Sequence, residues 1–190
     1  MKNSPVDLHN LELDLDPGLT VSREDLLVDG SDAEFRAMVH DLLAFAARLE
    51  QIRARFGRFI GLSGVQYTIL ITIRQLQGEN GVGAKAIAEH LAFSPPFVTT
   101  ETTRLVRLGL VAKRPNPEDL RRVYLTVTDK GIALLTELAP VQQEINDLLF
   151  EPVTGDTFEM VRRMARDLRA SSERAALLSE YLTDAGKEER

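Results

Sequence analysis

Residues 82–131 decide the fold, and they read VGAKAIAEHLAFSPPFVTTETTRLVRLGLVAKRPNPEDLRRVYLTVTDKG. Ala84–Leu91 has the apolar spacing of a short amphipathic helix, and residues 92–93 predict a tight turn. Ser94 can then cap a second helix over residues 95–108, with a proline at the first helical position, where no N–H is needed. Helix, short turn and capped helix together predict a helix-turn-helix, whose second helix enters the DNA major groove.

The second of these helices has distinct buried and exposed faces. Gly109 is placed to end it in the left-handed conformation. Helical spacing predicts that the helix buries Phe97, Val98, Leu105 and Thr102. Its free N-terminal amides are expected to receive a phosphate. The predicted exposed residues are Pro96, Thr99, Thr100, Thr103 and Arg107.

A two-stranded wing follows the second helix. Residues 110–114 and 123–127 are predicted strands, and the second alternates inward and outward positions. The proline-rich loop between them, residues 115–122, ends in Arg121 and Arg122. A cationic hairpin tip suits the DNA minor groove, where negative potential attracts arginine.

Long amphipathic helices are predicted on both sides of this middle segment. Residues 31–58 begin with Ser31 and Glu34, the spacing of a capping box, and residues 63–76 begin with the similar pair Ser63 and Gln66. The glycine-rich residues 78–83 are expected to form a loop.

The C-terminal part is predicted to hold two further helices. Thr128 caps a helix over residues 129–150, in which Pro140 is expected to bend or interrupt the hydrogen-bond ladder. A last helix covers residues 157–182. Apolar stripes at both ends of a short chain predict a homodimer; a monomeric bundle using the same stripes is the alternative.

The fold class is therefore mainly α with a small β wing: a winged helix-turn-helix lobe plus long N- and C-terminal dimerisation helices. The predicted divisions are an acidic N-terminal arm (1–30), N-terminal helices for dimerisation and a ligand cleft (31–77), the winged helix-turn-helix (78–131) and C-terminal dimerisation helices (132–190).

Composition limits the function. The 190 residues are 44% hydrophobic and 27% charged, as in soluble globular proteins, and no cysteine is present, which excludes thiolate chemistry and disulfides. The net charge is −6, but residues 1–34 carry −7 and residues 81–131 carry +3. The basic stretch is either a solvated face or a phosphate-binding stripe. The N-terminus resembles no signal peptide, and the most apolar stretch is too short for a membrane span, which predicts a cytoplasmic protein.

No catalytic constellation stands out. His9, His40 and His90 lie in different segments without metal-ligand spacing, and the glycines before Lys85 lack the contiguous Gly-Lys-Ser/Thr of a phosphate loop. We therefore expect no enzyme activity, no metal and no cofactor.

The segment from Gly109 to Gly131 resembles the wing of the MarR family of winged-helix transcriptional regulators. The family's Asp-x-Arg wing motif matches Asp119 and Arg121, and its Leu-Thr-x-x-Gly helix start matches Val127, Thr128 and Gly131. The resemblance implies that Arg121 reaches the minor groove and is held by Asp119. It also implies DNA contacts by Lys85, Ser94, Pro96, Thr99, Thr100, Thr103, Arg104, Arg114 and Arg122.

Two features depart from the family pattern. The exposed face of the second helix offers threonines and prolines instead of the Arg, Asn or Gln that make bidentate base contacts. Glu101 stands where the family has an apolar residue, and it either repels phosphate or pairs with Arg104. We favour the pairing.

The resemblance further implies a small aromatic or phenolic effector, with an acyl thioester as a second effector class. The predicted cleft residues are His40, Arg53, Phe59, Gln66 and Tyr67. The expected function is a homodimeric regulator that binds a pseudo-palindromic site in double-stranded DNA. The alternative is a winged-helix protein-interaction module without sequence-specific DNA binding, which the acidic residues 1–34 favour.

Overall fold

The computed structural model describes the backbone of residues 18–115 and 123–188, and side chains up to residue 184. The helices are α1 (Ala33–Phe59), α2 (Gly64–Leu76), α3 (Ala84–Leu91), α4 (Pro95–Arg107), α5 (Asp129–Leu149) and α6 (Gly155–Glu188). The strands are β1 (Val82–Gly83), β2 (Val111–Pro115) and β3 (Val123–Val127). The mainly α fold with a small wing is confirmed.

The chain separates into two compact units, the first ending at Gly131 and the second beginning at Ile132. The core of the first unit surrounds α2, which packs on α1, α4 and β3. Ile69, Leu70 and Ile73 of α2 are fully buried, as are Ile87 of α3 and Leu105 of α4. Removing these apolar side chains from water is the main stabilising contribution to this unit.

The α2 helix begins with the predicted capping box. Ser63 Oγ accepts a hydrogen bond from the Gln66 N–H at 3.1 Å, and Gln66 Oε1 accepts one from the Ser63 N–H at 3.1 Å. At the other end, Gln77 Oε1 accepts a hydrogen bond from the Val127 N–H at 2.8 Å. Both ends of α2 are thereby held, the second one to the wing.

The sheet has three strands in the order β1, β3, β2, all antiparallel. The predicted loop over residues 78–83 is wrong in its last two positions, because Val82 and Gly83 pair with Leu125 and Tyr124. The two wing strands lie within one residue of the predicted bounds.

The predicted capping box at Ser31 is wrong. Asp32 is the N-cap residue of α1, and Ser31 Oγ accepts only the Ala33 N–H, at 3.2 Å. The buried Asp32 carboxylate instead accepts two hydrogen bonds from Thr20, from N–H at 2.7 Å and from Oγ1 at 2.6 Å, and pairs with Arg36 at 2.7 Å. Residues near Thr20 are therefore fastened to the start of α1.

This cluster makes stability depend on pH. The Thr20 hydrogen bonds, followed by the Arg36 charge, lower the pKa of Asp32 below its ordinary 3.8, against the opposing effect of burial. A lowered folded-state pKa stabilises the fold above pH 3.8, and this stabilisation is lost as pH falls towards the folded value. Thr20→Val is therefore expected to lower the Tm by a few degrees at pH 7 and by less at pH 3, as measured by circular dichroism. An equal loss at both pH values would contradict this assignment.

Thr128 and Gly131 join the wing to α5. Thr128 Oγ1 accepts the Gly131 N–H at 3.1 Å, which confirms the predicted cap, and donates to the Gly109 carbonyl at 2.7 Å. A Cβ at position 131 would lie 2.5 Å from the Leu110 carbonyl oxygen, so only glycine fits there. Gly109 ends α4 with a φ of +73°, as predicted. The α5 helix continues through Pro140 without interruption.

No single helix among the described residues is long and apolar enough to cross a bilayer. Only α1 and α2 taken together, which meet at 91°, reach that length and composition, and the apolar side chains of α2 are mostly buried inside this fold.

Candidate nucleic-acid interface

The exposed face of α4 is the centre of the candidate interface. Val98, Glu101, Thr102 and Leu105 are buried on one side of the helix. Pro96, Thr99, Thr100 and Arg107 are exposed on the other side, as predicted, and Thr103 is half-buried. The prediction that Phe97 is buried is wrong: its side chain is 40% exposed and packs edge-on against Phe93 of the turn, with ring centroids 5.4 Å apart.

The threonine hydroxyls of this face are bonded to the helix backbone. Thr99 Oγ1 donates to the Pro95 carbonyl at 2.9 Å, Thr100 Oγ1 to the Pro96 carbonyl at 3.0 Å, and Thr103 Oγ1 to the Thr99 carbonyl at 2.8 Å. Threonine commonly makes such bonds to the carbonyl four residues earlier. Each hydroxyl proton is thus used, and the methyl groups remain for other contacts.

The N-terminus of α4 offers fewer amides than we expected. Ser94 is the exposed N-cap residue, but its side chain makes no capping bond. Pro95 and Pro96 have no N–H, and the Val98 N–H is bonded to the Ser94 carbonyl at 3.1 Å. The Phe97 N–H is therefore the first amide that this terminus can present to a phosphate.

Basic side chains lie on the two elements α3 and β2, which pack on α4. Lys85 of α3 and Arg114 of β2 are exposed, and Lys85 makes an exposed, weak pair with Glu89 at 3.5 Å. Lys113 of β2, which sequence reasoning missed, donates from Nζ to Thr103 Oγ1 at 3.3 Å. The sequence feature that could have identified Lys113 is a basic residue at an exposed position of a predicted wing strand. Lys85, Thr99 and Lys113 line one groove of about 650 Å³ between α3, α4 and β3.

Glu101 pairs with Arg104, as we favoured. Its side chain is only 7% exposed; Oε1 accepts from Arg104 Nη1 at 2.5 Å, and Oε2 accepts from Gln66 Nε2 at 3.2 Å. Gln66 therefore caps α2 with one atom and contacts α4 with another. The carboxylate fills a polar site between the two helices and does not face the solvent.

The predicted wing-tip residues Asp119, Arg121 and Arg122 lie outside the described residues. Their contacts with DNA stay a prediction. Of the two described strands that flank these residues, β2 packs on α4 and pairs with β3.

The predicted ligand residues do not all come together within one chain. Arg53 lies over the Tyr67 ring, 5.5 Å from its centroid, and donates from Nε to Thr68 Oγ1 at 3.3 Å. Tyr67 is buried and packs edge-on against Phe56. Burial raises the pKa of the Tyr67 phenol, and the Arg53 charge opposes that rise, so the phenol stays neutral at pH 7.

Gln66 of α2 contacts Glu101, and the remaining two predicted ligand residues lie elsewhere on α1. His40 is exposed about 20 Å from Arg53 along the helix, at 1.5 Å per residue. Phe59 is exposed at the C-terminal end of α1. A hollow of about 330 Å³ lies between α1, α2 and the turn before α4, and its lining includes Glu50, Arg53, Thr68 and Phe93.

Comparison with known proteins finds a family model that matches part of this chain. The family model described as the MarR family matches residues 62–123. The HTH-type transcriptional regulator PapX of Escherichia coli is 22% identical over 134 residues, which cover 69% of this chain and 82% of PapX.

Two solved structures of similar fold contain nucleic acid. A mutant MarR of E. coli complexed with operator DNA has 18% identity and a TM-score of 0.57, with 71% of this chain and 95% of that chain covered. The S. aureus MepR–DNA complex also has 18% identity and a TM-score of 0.57, with 70% and 96% covered. The MarR family model thus matches the part of this chain that forms the winged helix-turn-helix, and the solved structures share its fold.

Proposed function

We propose that this chain is a cytoplasmic homodimeric repressor that binds a pseudo-palindromic operator in double-stranded DNA and is released by a small aromatic ligand. The observation that carries the proposal is the exposed face of α4, which borders the groove that Lys85 and Lys113 line. An exposed helix with cations beside it suits a major groove, whose phosphate backbones those cations can contact.

The proposed complex places α4 in the major groove and the wing loop with Arg121 in the adjacent minor groove. Two lobes of a dimer would contact half-sites about 34 Å apart, one turn of DNA. Two similar structures are complexes with DNA, which supports this placement.

The α6 helix supports the proposed dimer. Near its C-terminal end the side chains of Leu177, Leu178, Tyr181 and Leu182 are 57 to 71% exposed, and helical spacing places all four along one stripe. An apolar stripe of this size in water is typical of an interface between subunits.

A lysine in this stripe is expected to break the dimer. Leu178→Lys should elute from a sizing column at the mass of one chain at micromolar concentration, because a buried unpaired charge at an interface weakens association by at least tenfold. The wild type and the control Glu180→Lys, with the same new side chain outside the stripe, should elute at twice that mass. Equal masses for all three proteins would contradict the proposed interface.

Arg53 supports the proposed ligand site. Its guanidinium lies beside Tyr67 and Thr68 at the hollow between α1, α2 and the turn before α4. The acid group of a small phenolic compound could pair with this cation while its ring occupied the apolar part. A ligand that fits better when α4 is displaced would lower DNA affinity by its differential affinity for the two states.

The test is selection from a pool of random DNA duplexes with the full chain at fixed salt, followed by a mobility shift against unselected competitor. Enrichment of a two-fold symmetric sequence, released by one member of a panel of phenolic acids and acyl thioesters, would support the whole proposal. No enrichment would favour the alternative, a winged-helix module for protein contact, with the acidic residues 1–34 as the next segment to test.

A further inference from the structure

We propose that the N-terminal half of α4 recognises A·T base pairs through thymine methyl groups and has no hydrogen-bond donor for guanine. This inference rests on the proposed DNA binding and adds the chemistry of base recognition to it. It concerns the residues PPFVTTETT, from Pro95 to Thr103, which come first into the major groove when a helix-turn-helix binds DNA.

The first argument is the lack of donors. This half of α4 contains no Arg, Lys, Asn, Gln or His. Its two prolines have no N–H, and Glu101 is buried and turned towards Gln66 and Arg104. Guanine presents two acceptors in the major groove, N7 and O6, and its usual partner is a bidentate Arg or Lys. Guanine therefore finds no such partner among the side chains from Pro95 to Thr103.

The second argument is the state of the threonine hydroxyls. A hydroxyl has one proton to donate, and the protons of Thr99 and Thr100 are bonded to the carbonyls of Pro95 and Pro96. Each oxygen keeps a lone pair, so it can accept a hydrogen bond but not donate one. Thr103 Oγ1 already accepts from Lys113 Nζ, which leaves Thr99 and Thr100 as the open acceptors.

The threonine oxygen and the threonine methyl both match groups of an A·T base pair. A threonine oxygen that accepts fits the adenine N6 amino group, and a threonine methyl fits the C5-methyl of thymine. An A·T pair presents both on its major-groove edge, on either side of thymine O4. A G·C pair also presents an amino group and two acceptors but no methyl, so contact with the thymine methyl is what favours the A·T pair.

The experiment uses the full chain and the duplex enriched from the random pool. Each thymine is replaced in turn by deoxyuridine, which removes the C5-methyl and keeps the Watson–Crick pairing. We expect about a fourfold loss of affinity at each contacted thymine, since burying one methyl-sized group is worth about this factor. Thymines elsewhere in the duplex should show no change.

Two matched variants assign the contact to the side chain. Thr100→Val keeps the methyl group and replaces the hydroxyl by a second methyl, so it should keep the deoxyuridine penalty. Thr100→Ser keeps the hydroxyl and removes the methyl, so it should lose the penalty at one thymine in each half-site. Thr100 is exposed and makes no contact with the core, so both variants should fold.

The outcomes separate this inference from the proposed function. An enriched duplex that is indifferent to deoxyuridine, or in which guanine is required where α4 binds, would overturn the inference and leave DNA binding intact. The inference is also overturned, with DNA binding intact, if Thr100→Val loses the deoxyuridine penalty and Thr100→Ser keeps it. No enriched duplex would overturn the proposed DNA binding and this inference with it.

Discussion

Replacing Arg121 with alanine is expected to weaken binding of the enriched duplex by about ten- to a hundredfold, the range for loss of one well-placed arginine contact. The family resemblance places this residue at the wing tip, where the negative potential of a narrow minor groove attracts a guanidinium. The strand β2 packs on α4 and pairs with β3, so we expect a wing tip and the recognition helix to engage adjacent grooves. A mobility shift at fixed salt measures the loss.

The matched control is Arg48→Ala, which removes the same charge from an exposed position on α1. A long-range charge effect would weaken DNA binding by both variants alike, whereas loss of a wing contact would weaken DNA binding only by Arg121→Ala. A titration with salt adds a second readout, because loss of one phosphate or groove contact lowers the salt slope by about one. Equal affinity of the Arg121 variant and the wild type would remove the wing from the interface.

The second large effect is expected at Glu101. Its carboxylate is buried between α2 and α4 and accepts hydrogen bonds from Gln66 and Arg104. Glu101→Ala leaves the Gln66 amide without its partner and should lower the free energy of unfolding by about 1 to 3 kcal/mol. The Arg104 side chain is 56% exposed and can turn to water, so the full cost of an unpaired buried charge does not arise.

Two further variants show which property of Glu101 matters. Glu101→Gln keeps an oxygen for the Gln66 amide, so it should melt close to the wild type. It removes the charge that holds Arg104, so it should bind DNA more tightly, because Arg104 is then free to contact phosphate. Glu89→Ala removes an exposed carboxylate paired with Lys85 and should change stability little. Melting curves and mobility shifts of all three variants measure this. Unchanged melting of Glu101→Ala would show that the buried contact is not stabilising.

The helix-turn-helix was predictable because its signals are local. The limits of α3 depend on apolar spacing within eight residues, and the start of α2 depends on the pair Ser63 and Gln66, three residues apart. The exposed face of α4 also followed from helical periodicity alone, except for Phe97. That side chain packs on Phe93 across the turn, and the spacing of one helix contains no information about a neighbouring element.

Contacts between distant residues were not predictable. The partner of Asp32 is Thr20, twelve residues earlier, which moves the start of α1 from the expected Ser31 cap. The two-residue strand β1 exists because Leu125, more than forty residues later, pairs with Val82. The predicted ligand residues Arg53 and Tyr67 come together by packing of α1 on α2, whereas His40 lies apart from them on the same α1 helix.

By itself, the sequence determined the helices, the wing strands and the side chains on the exposed face of α4, since each depends on residues that are close together along the chain. Only the tertiary structure decided which of those side chains remain available for contacts with DNA. Packing of α4 on α2 turns Glu101 inward to Gln66, and β2 brings Lys113 to Thr103. A hydrogen bond requires two groups within about 3 Å, and for groups far apart along the chain only folding determines that distance.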